Sequence, residues 1–120
     1  MRRDGAHAGD LLYVTGSLGE AGLALRLQQQ GVLKEHHQRL QQRLDCPTPR
    51  VAEGMRLASL ASAAIDLSDG LIGDLGHVVQ QSRCGATIEL QRLPCSTAVT
   101  EAMARSNDWS LALSSGDDYE

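Results

Sequence analysis

The stretch Ala63-Ala64-Ile65-Asp66-Leu67-Ser68-Asp69-Gly70-Leu71 limits the fold of this chain more than any other. Ala63 to Leu67 is a short apolar run that reads as a buried strand. Ser68-Asp69-Gly70 has the composition of a tight turn and a helix cap. Leu71, Ile72, Leu75, Val78 and Val79 then recur at i, i+1, i+4, i+7 and i+8, the stripe of an amphipathic helix. A strand feeding directly into a helix belongs to layered architectures, in which helices cover a sheet.

The flanking segments extend that pattern. Leu11-Leu12-Tyr13-Val14-Thr15 reads as a strand after the polar turn of Gly5, Gly9 and Asp10. Gly16-Ser17-Leu18-Gly19 breaks it. Ser17 and Glu20 have capping-box spacing for a helix that turns Leu18, Ala21, Leu25 and Leu27 to one side and stops at Gly31. Residues 34–44, rich in Gln, Arg and His, predict an exposed helix in which only Leu33, Leu40 and Leu44 suit a core. Pro47-Thr48-Pro49 is a rigid connector. A helix is expected from Arg50 to Ser59, with Val51, Met55 and Ala58 at helical spacing. Gly85 marks the end of the helix that starts at Leu71. Thr87-Ile88-Glu89-Leu90 alternates as a strand does, closed by Pro94. Thr97 to Ala104 predicts a short helix and Trp109 to Leu113 an extended segment. Ser115 to Glu120 reads as a turn leading into a strand within which the chain stops. Strand, three helices, strand, helix, strand, helix, strand is not regular alternation. The expected fold is therefore α+β, layered as in α/β proteins, with a mixed sheet covered by helices.

A core for this fold has to be made almost without rings. The 120 residues hold no Phe, one Trp and two Tyr, against 18 Leu and 14 Ala. Leu and Ala favour helices and allow close packing, but they bury little area per residue, which predicts modest stability. The length suits one domain. A net charge of −4 argues against a nucleic-acid partner. The longest apolar run, Leu57 to Ile65, is broken by two serines and is far below the ~20 residues of a membrane span. Arg2 and Arg3 precede no apolar stretch long enough for a signal peptide. Cys46, Cys84 and Cys95 are odd in number and widely spaced, the pattern of reduced thiols in the cytoplasm.

Several residues invite chemistry. Asp66 and Asp69, three apart on a turn, can converge as Mg²⁺ does on one or two carboxylates plus phosphate and water. The helix N-terminus beside them suits phosphate, and the Ser68 hydroxyl can hydrogen-bond a phosphate or nucleoside. The plainer reading makes Ser68 or Asp69 the helix cap and Asp66 a strand end. Asp74, one turn in, complements the helix dipole. His77 reads as a half-buried packing residue, and His36 and His37 as solvated. Asp117 and Asp118 on the Gly116 turn are either a solvent-facing Asx turn or a second acidic site. Gly16 to Gly19 lacks P-loop spacing.

Four stretches resemble one family. Residues 3–16, Arg-Asp-Gly-Ala-His-Ala-Gly-Asp-Leu-Leu-Tyr-Val-Thr-Gly, are similar to the RxGAxxGDxIYVTG stretch of the bacterial thiamine-monophosphate kinases, in the AIR-synthase-like superfamily. Pro47-Thr48-Pro49-Arg50 resembles their PxPR element. Residues 64–77 resemble AIDLSDGLxxDLGH, and 114–120 resemble SGGEDYE. The resemblance implies an ATP- and Mg²⁺-dependent phosphotransferase that converts thiamine monophosphate to thiamine diphosphate in the cytoplasm. Its parent would be a two-domain homodimer of which this chain is part of the C-terminal domain, the N-terminal domain being absent. It further implies ATP contacts at Arg3 and Ser68, metal ligands at Asp66 and Asp69, and an acceptor-substrate contact at Asp117. Ser115 stands where the family has the first Gly of a pair. Asp117 stands where it has Glu, which keeps the charge and shortens the reach by about one methylene. Without the first domain the isolated chain is expected to show little or no kinase activity. The competing expectations are an inactive domain that folds or self-associates, and another superfamily enzyme such as a selenophosphate synthetase or an AIR synthase.

Overall fold

The described residues form six helices: α1 (Glu20–Gln29), α2 (Gln38–Asp45), α3 (Val51–Leu57), α4 (Leu71–Ser82), α5 (Thr97–Ser106) and α6 (Ser110–Leu113). Single 3₁₀ turns lie at Glu35–His37 and Leu90–Arg92. The structure, a computed structural model, describes residues 2–120. The His36 side chain lies outside the described residues, and with it the expectation that it is solvated. Among the described residues no helix is long and apolar enough to cross a membrane.

The core is aliphatic, as the composition requires. Leu18, Leu23 and Ala24 from the α1 region meet Leu40 of α2, Val99 and Met103 of α5, Leu111 and Ala112 of α6, and Leu67. Trp109 only flanks this cluster. The α1 stripe is rotated from expectation: Leu23 and Ala24 are buried and Leu25 is exposed. α3 buries nothing, and its Val51 and Met55 face solvent. Of residues 109–113, expected to be extended, 110–113 form α6 and Trp109 is its N-cap. Four residues are too short for a helical period to show, but Leu111 and Ala112 are drawn onto the core.

The expected mixed sheet is not present: no strand occurs among the described residues, which are helical, turn or extended without a ladder. The α+β fold class is corrected accordingly. The expected strands at 11–15, 63–67 and 87–90 form no ladder: 63–67 makes only scattered backbone bonds, such as the Ala64 N–H to the Arg2 carbonyl (3.0 Å), and a strand exists only by regular pairing. Leu11, Leu12 and Tyr13 lie exposed on the surface. The nearest approach to pairing joins residues 67–68 to 117–120. The Leu67 N–H donates to the Glu120 carbonyl (3.2 Å), and the Tyr119 and Asp117 N–H groups donate to the carbonyls of Leu67 (2.9 Å) and Ser68 (3.0 Å). The positive φ of Asp117 (67°) and Tyr119 (51°) bends the segment out of pleated geometry.

The start of α1 also differs. Ser17 does not cap it. The N-cap is Gly19, whose φ of 83° and closeness to the Leu111 carbonyl leave no room for a β-carbon. The free amides are met instead by buried Asp118, which accepts from the Gly19 N–H (2.6 Å) and the Ala21 N–H (3.4 Å).

Around this cap lies a buried ionic cluster. The Glu120 side chain is fully buried and accepts from Arg43, from Arg50 Nε (2.5 Å) and from the Thr15 hydroxyl (3.0 Å). Arg43 Nε also stands 3.6 Å from Glu20, and Arg39 Nε 3.3 Å from it. Burial pushes the Glu120 carboxyl up, but the Arg50 and Thr15 hydrogen bonds and the Arg43 and Arg50 charges outweigh it and hold the group below its ordinary value. Burial raises Asp118 despite its hydrogen bonds. The two carboxyls therefore have opposite linkage. Glu120 contributes stability that is present above the ordinary glutamate value of 4.5 and is lost as pH falls through its depressed value. Asp118 binds a proton more readily when folded, so its contribution grows as pH falls through its raised value. Glu120→Gln is expected to cost about 3 kcal/mol at neutral pH by leaving two guanidinium groups under-compensated. It should also flatten the acid limb of a plot of Tm against pH from 3 to 7. An unchanged acid limb in that variant would remove Glu120 from this role.

Candidate functional site

The turn at residues 66–70 is shaped by Asp74 more than by its own side chains. Asp74 lies buried in the first turn of α4, where its Oδ2 accepts both the Ser68 and the Asp69 N–H at 2.9 Å. This satisfies two backbone donors ahead of the helix and places a negative charge at its positive end. The N-cap of α4 is Gly70, with no side-chain cap, so neither Ser68 nor Asp69 caps the helix. Asp66 and Asp69 are left exposed, with Ser68 half-buried between them. Arg3 NH2 stands 3.9 Å from Asp66, a long pair between exposed groups that stabilises little.

The second half of the site comes from the end of the chain. Gly116 packs on the Ser68 carbonyl so closely that a β-carbon there would collide with it. Asp117 follows, held by its N–H on that same carbonyl (3.0 Å), with its carboxylate exposed. The Tyr119 hydroxyl donates to Asp117 Oδ1 (3.2 Å). That bond, then the Asp117 charge, and more weakly the charges of Asp66 and Asp69, push the phenol above its ordinary value. The structure thus brings Arg3, Asp66, Ser68, Asp69 and Asp117, from three distant segments of the chain, to one exposed edge.

Among the described residues, no three His, Cys, Asp or Glu side chains converge into a metal cage. The donors present suit a different arrangement. Asp66 and Asp69 are exposed carboxylates next to a hydroxyl and an arginine, which fits a Mg²⁺ ion completed by phosphate and water. A shallow cavity of about 300 Å³ adjoins the edge, between α1 and α6. Arg26, Ser110, Ser114 and Asp117 supply much of its polar lining, and Ala21, Leu25 and Leu111 its apolar part. His77 is exposed rather than half-buried, and His37 Nδ1 accepts the Lys34 N–H (3.0 Å). The thiols of Cys46, Cys84 and Cys95 are free, and burial raises Cys95.

Sequence reasoning missed the groups behind this edge. Arg43 lay in a segment that reads as solvated, Glu120 carried no assigned role, and Asp118, read with Asp117 as a solvent-facing turn or acidic pair, is instead buried on the start of α1. The only available signal was Glu20, a charged residue between Leu18 and the apolar positions of α1. Because the Tyr119 phenol is raised chiefly by its bond to a charged acceptor, Asp117→Asn should lower its titration midpoint. Phenolate absorbance during an alkaline titration would show it. An unmoved midpoint would mean that the two side chains do not meet in solution.

The family model for the AIR synthase related protein, C-terminal domain, matches residues 7–116. The thiamine-monophosphate kinase of Salmonella typhimurium is 47% identical over 125 residues, covering 100% of this chain and 38% of that protein. The crystal structure of thiamine-monophosphate kinase from Stenotrophomonas maltophilia K279a superposes with a TM-score of 0.92 at 44% identity, covering 99% of this chain and 40% of that one. AaThiL complexed with AMPPCP and TMP superposes with a TM-score of 0.82 at 34% identity, covering 98% and 39%. The chain therefore spans about two fifths of the length of the relatives it matches. With its edge of acidic turns placed as described and the family model covering residues 7–116, this chain belongs to the AIR synthase related protein C-terminal domain family.

Proposed function

We propose that the chain is the C-terminal-domain part of an ATP-dependent kinase that phosphorylates thiamine monophosphate to thiamine diphosphate and releases ADP. One observation carries this reading: the DLSDG turn and Asp117, some fifty residues apart in sequence, are joined by the Asp117–Ser68 hydrogen bond into one edge. The match to thiamine-monophosphate kinases along the whole chain, and the AaThiL complex with AMPPCP, an ATP analogue, and TMP, support it.

Each residue has a role in this reading. Asp66 and Asp69 would hold Mg²⁺, which when bound neutralises phosphate charge. Arg3 and the Ser68 hydroxyl donate to ATP. Asp117 binds the acceptor, thiamine monophosphate. Phosphoryl transfer depends on position and charge compensation more than on covalent chemistry, and the donors on this edge are few. A first domain would supply the remaining metal ligands and phosphate contacts, and the parent would be a cytoplasmic homodimer. The chain by itself would then turn over little or no substrate.

Calorimetric titration of Mg·ATP into the 120-residue chain, beside an Asp66→Asn/Asp69→Asn double variant, tests this. Binding should weaken by at least about tenfold in the double variant, roughly 1.4 kcal/mol, with the helical circular dichroism unchanged. Equal binding in both proteins would refute the assignment of these carboxylates.

A second reading, self-association of the domain, is favoured by the exposed run Leu11, Leu12 and Tyr13. Light scattering should then show a mass that rises with concentration, and a monomer at all concentrations would dismiss it.

A further inference from the structure

We propose that Arg43 is a positioning residue, holding Asp117 and Tyr119 outward over the Asp66–Asp69 turn. This rests on the proposed function for why the placement matters, but not for whether it occurs. Residues 117–120 alternate: Asp118 and Glu120 are buried, and Asp117 and Tyr119 are exposed. Both outward residues have left-handed backbone, φ 67° and 51°, although each carries a β-carbon. Such conformations persist only where the surroundings over-determine them. Asp118 stands between the two and is pinned twice. Its carboxylate caps α1 through Gly19 and Ala21, and its carbonyl accepts from Arg43 NH2 at 2.8 Å.

The same guanidinium also donates to Glu120 and faces Glu20, so a single planar group ties α1, α2 and the 117–120 segment together. Arg50 anchors Glu120 too, yet no hydrogen bond joins it to the Asp118 carbonyl. Arg43 is thus the side chain that grips the backbone between the two left-handed residues. On the outer side, the Asp117 and Tyr119 N–H groups close onto Ser68 and Leu67. Releasing the inner grip should let those two outer bonds open. Lys at position 43 keeps the charge but has no fork with which to reach a carbonyl and two carboxylates at once, so it should restore the grip only in part.

Amide hydrogen exchange on the 120-residue chain reads this directly. In Arg43→Met, exchange at the Asp117 and Tyr119 amides should rise at least tenfold more than exchange at Val99 and Met103 in α5. Arg43→Lys should fall between Arg43→Met and the wild type. A uniform rise across all four amides, or no rise at residues 117 and 119, would overturn the proposal. Should Arg43→Met fail to fold, the same comparison in Arg43→Lys decides it. Titration of thiamine monophosphate separates the two readings. Local opening without any loss of binding keeps the positioning role and removes Asp117 as an acceptor contact. Loss of binding without local opening does the reverse.

Discussion

A carboxylate with no exposed side-chain surface sits at the meeting point of segments that are far apart in sequence. Glu120 is held by Arg43, Arg50 and Thr15, which reach it from α2, from the residue before α3, and from the stretch before α1. A buried charge costs several kcal/mol unless paired and fully hydrogen-bonded. Glu120 can therefore be buried only when these segments have already come together. The aliphatic core could not impose that by itself. It consists of Leu, Ala, Val and Met without a buried ring, and such a core tolerates small rotations of its helices. The ionic cluster is directional where the core is not. Arg43, Glu20 and Asp118 extend it to the start of α1, so helix placement and the course of residues 117–120 share one set of contacts.

What was legible in the sequence follows from this division. The bodies of α4 and α5 were legible because an apolar stripe recurring every three or four residues is a local property. Asp74 was legible only as an acid complementing the helix dipole; its bonds back to the Ser68 and Asp69 amides, which displace those residues as caps, were not. The cap of α1 was not. Ser17 and Glu20 have the right spacing, but Asp118, about a hundred residues away, does the work, and no local pattern reports that. Strands failed differently. Alternation at Thr87–Leu90 and the apolar runs at 11–15 and 63–67 signal extended backbone, while a strand also needs a partner at ladder distance, which periodicity does not contain. In the site, the residues of the 66–69 turn could be singled out from their chemistry. Their meeting with Asp117 came only through the family resemblance. Arg43 escaped both routes, hidden among Gln, Arg and His residues whose composition reads as a solvated face.

Electrostatics at the outer edge then limit what the site can bind. Asp66, Asp69 and Asp117 are exposed carboxylates, and Arg3 is the cation placed by the structure beside one of them. A phosphate brought there alone meets net repulsion. Asp74 has taken the Ser68 and Asp69 N–H groups, which leaves the amides of the first turn of α4 as the backbone donors on this side. Side-chain donors in the proposed site are the Ser68 hydroxyl and the Arg3 guanidinium, with Arg26 in the adjoining cavity. In the proposed site three carboxylates and a polyphosphate would leave an excess of negative charge, which a bound cation would offset. The same count explains the value of a rigid 117–120 segment. Where attraction is the small difference between several like and unlike charges, a displacement of the Asp117 carboxylate by one rotamer changes that difference by an amount comparable to the whole. Fixing its backbone from beneath, through the proposed grip of Arg43 on the Asp118 carbonyl, would keep that balance.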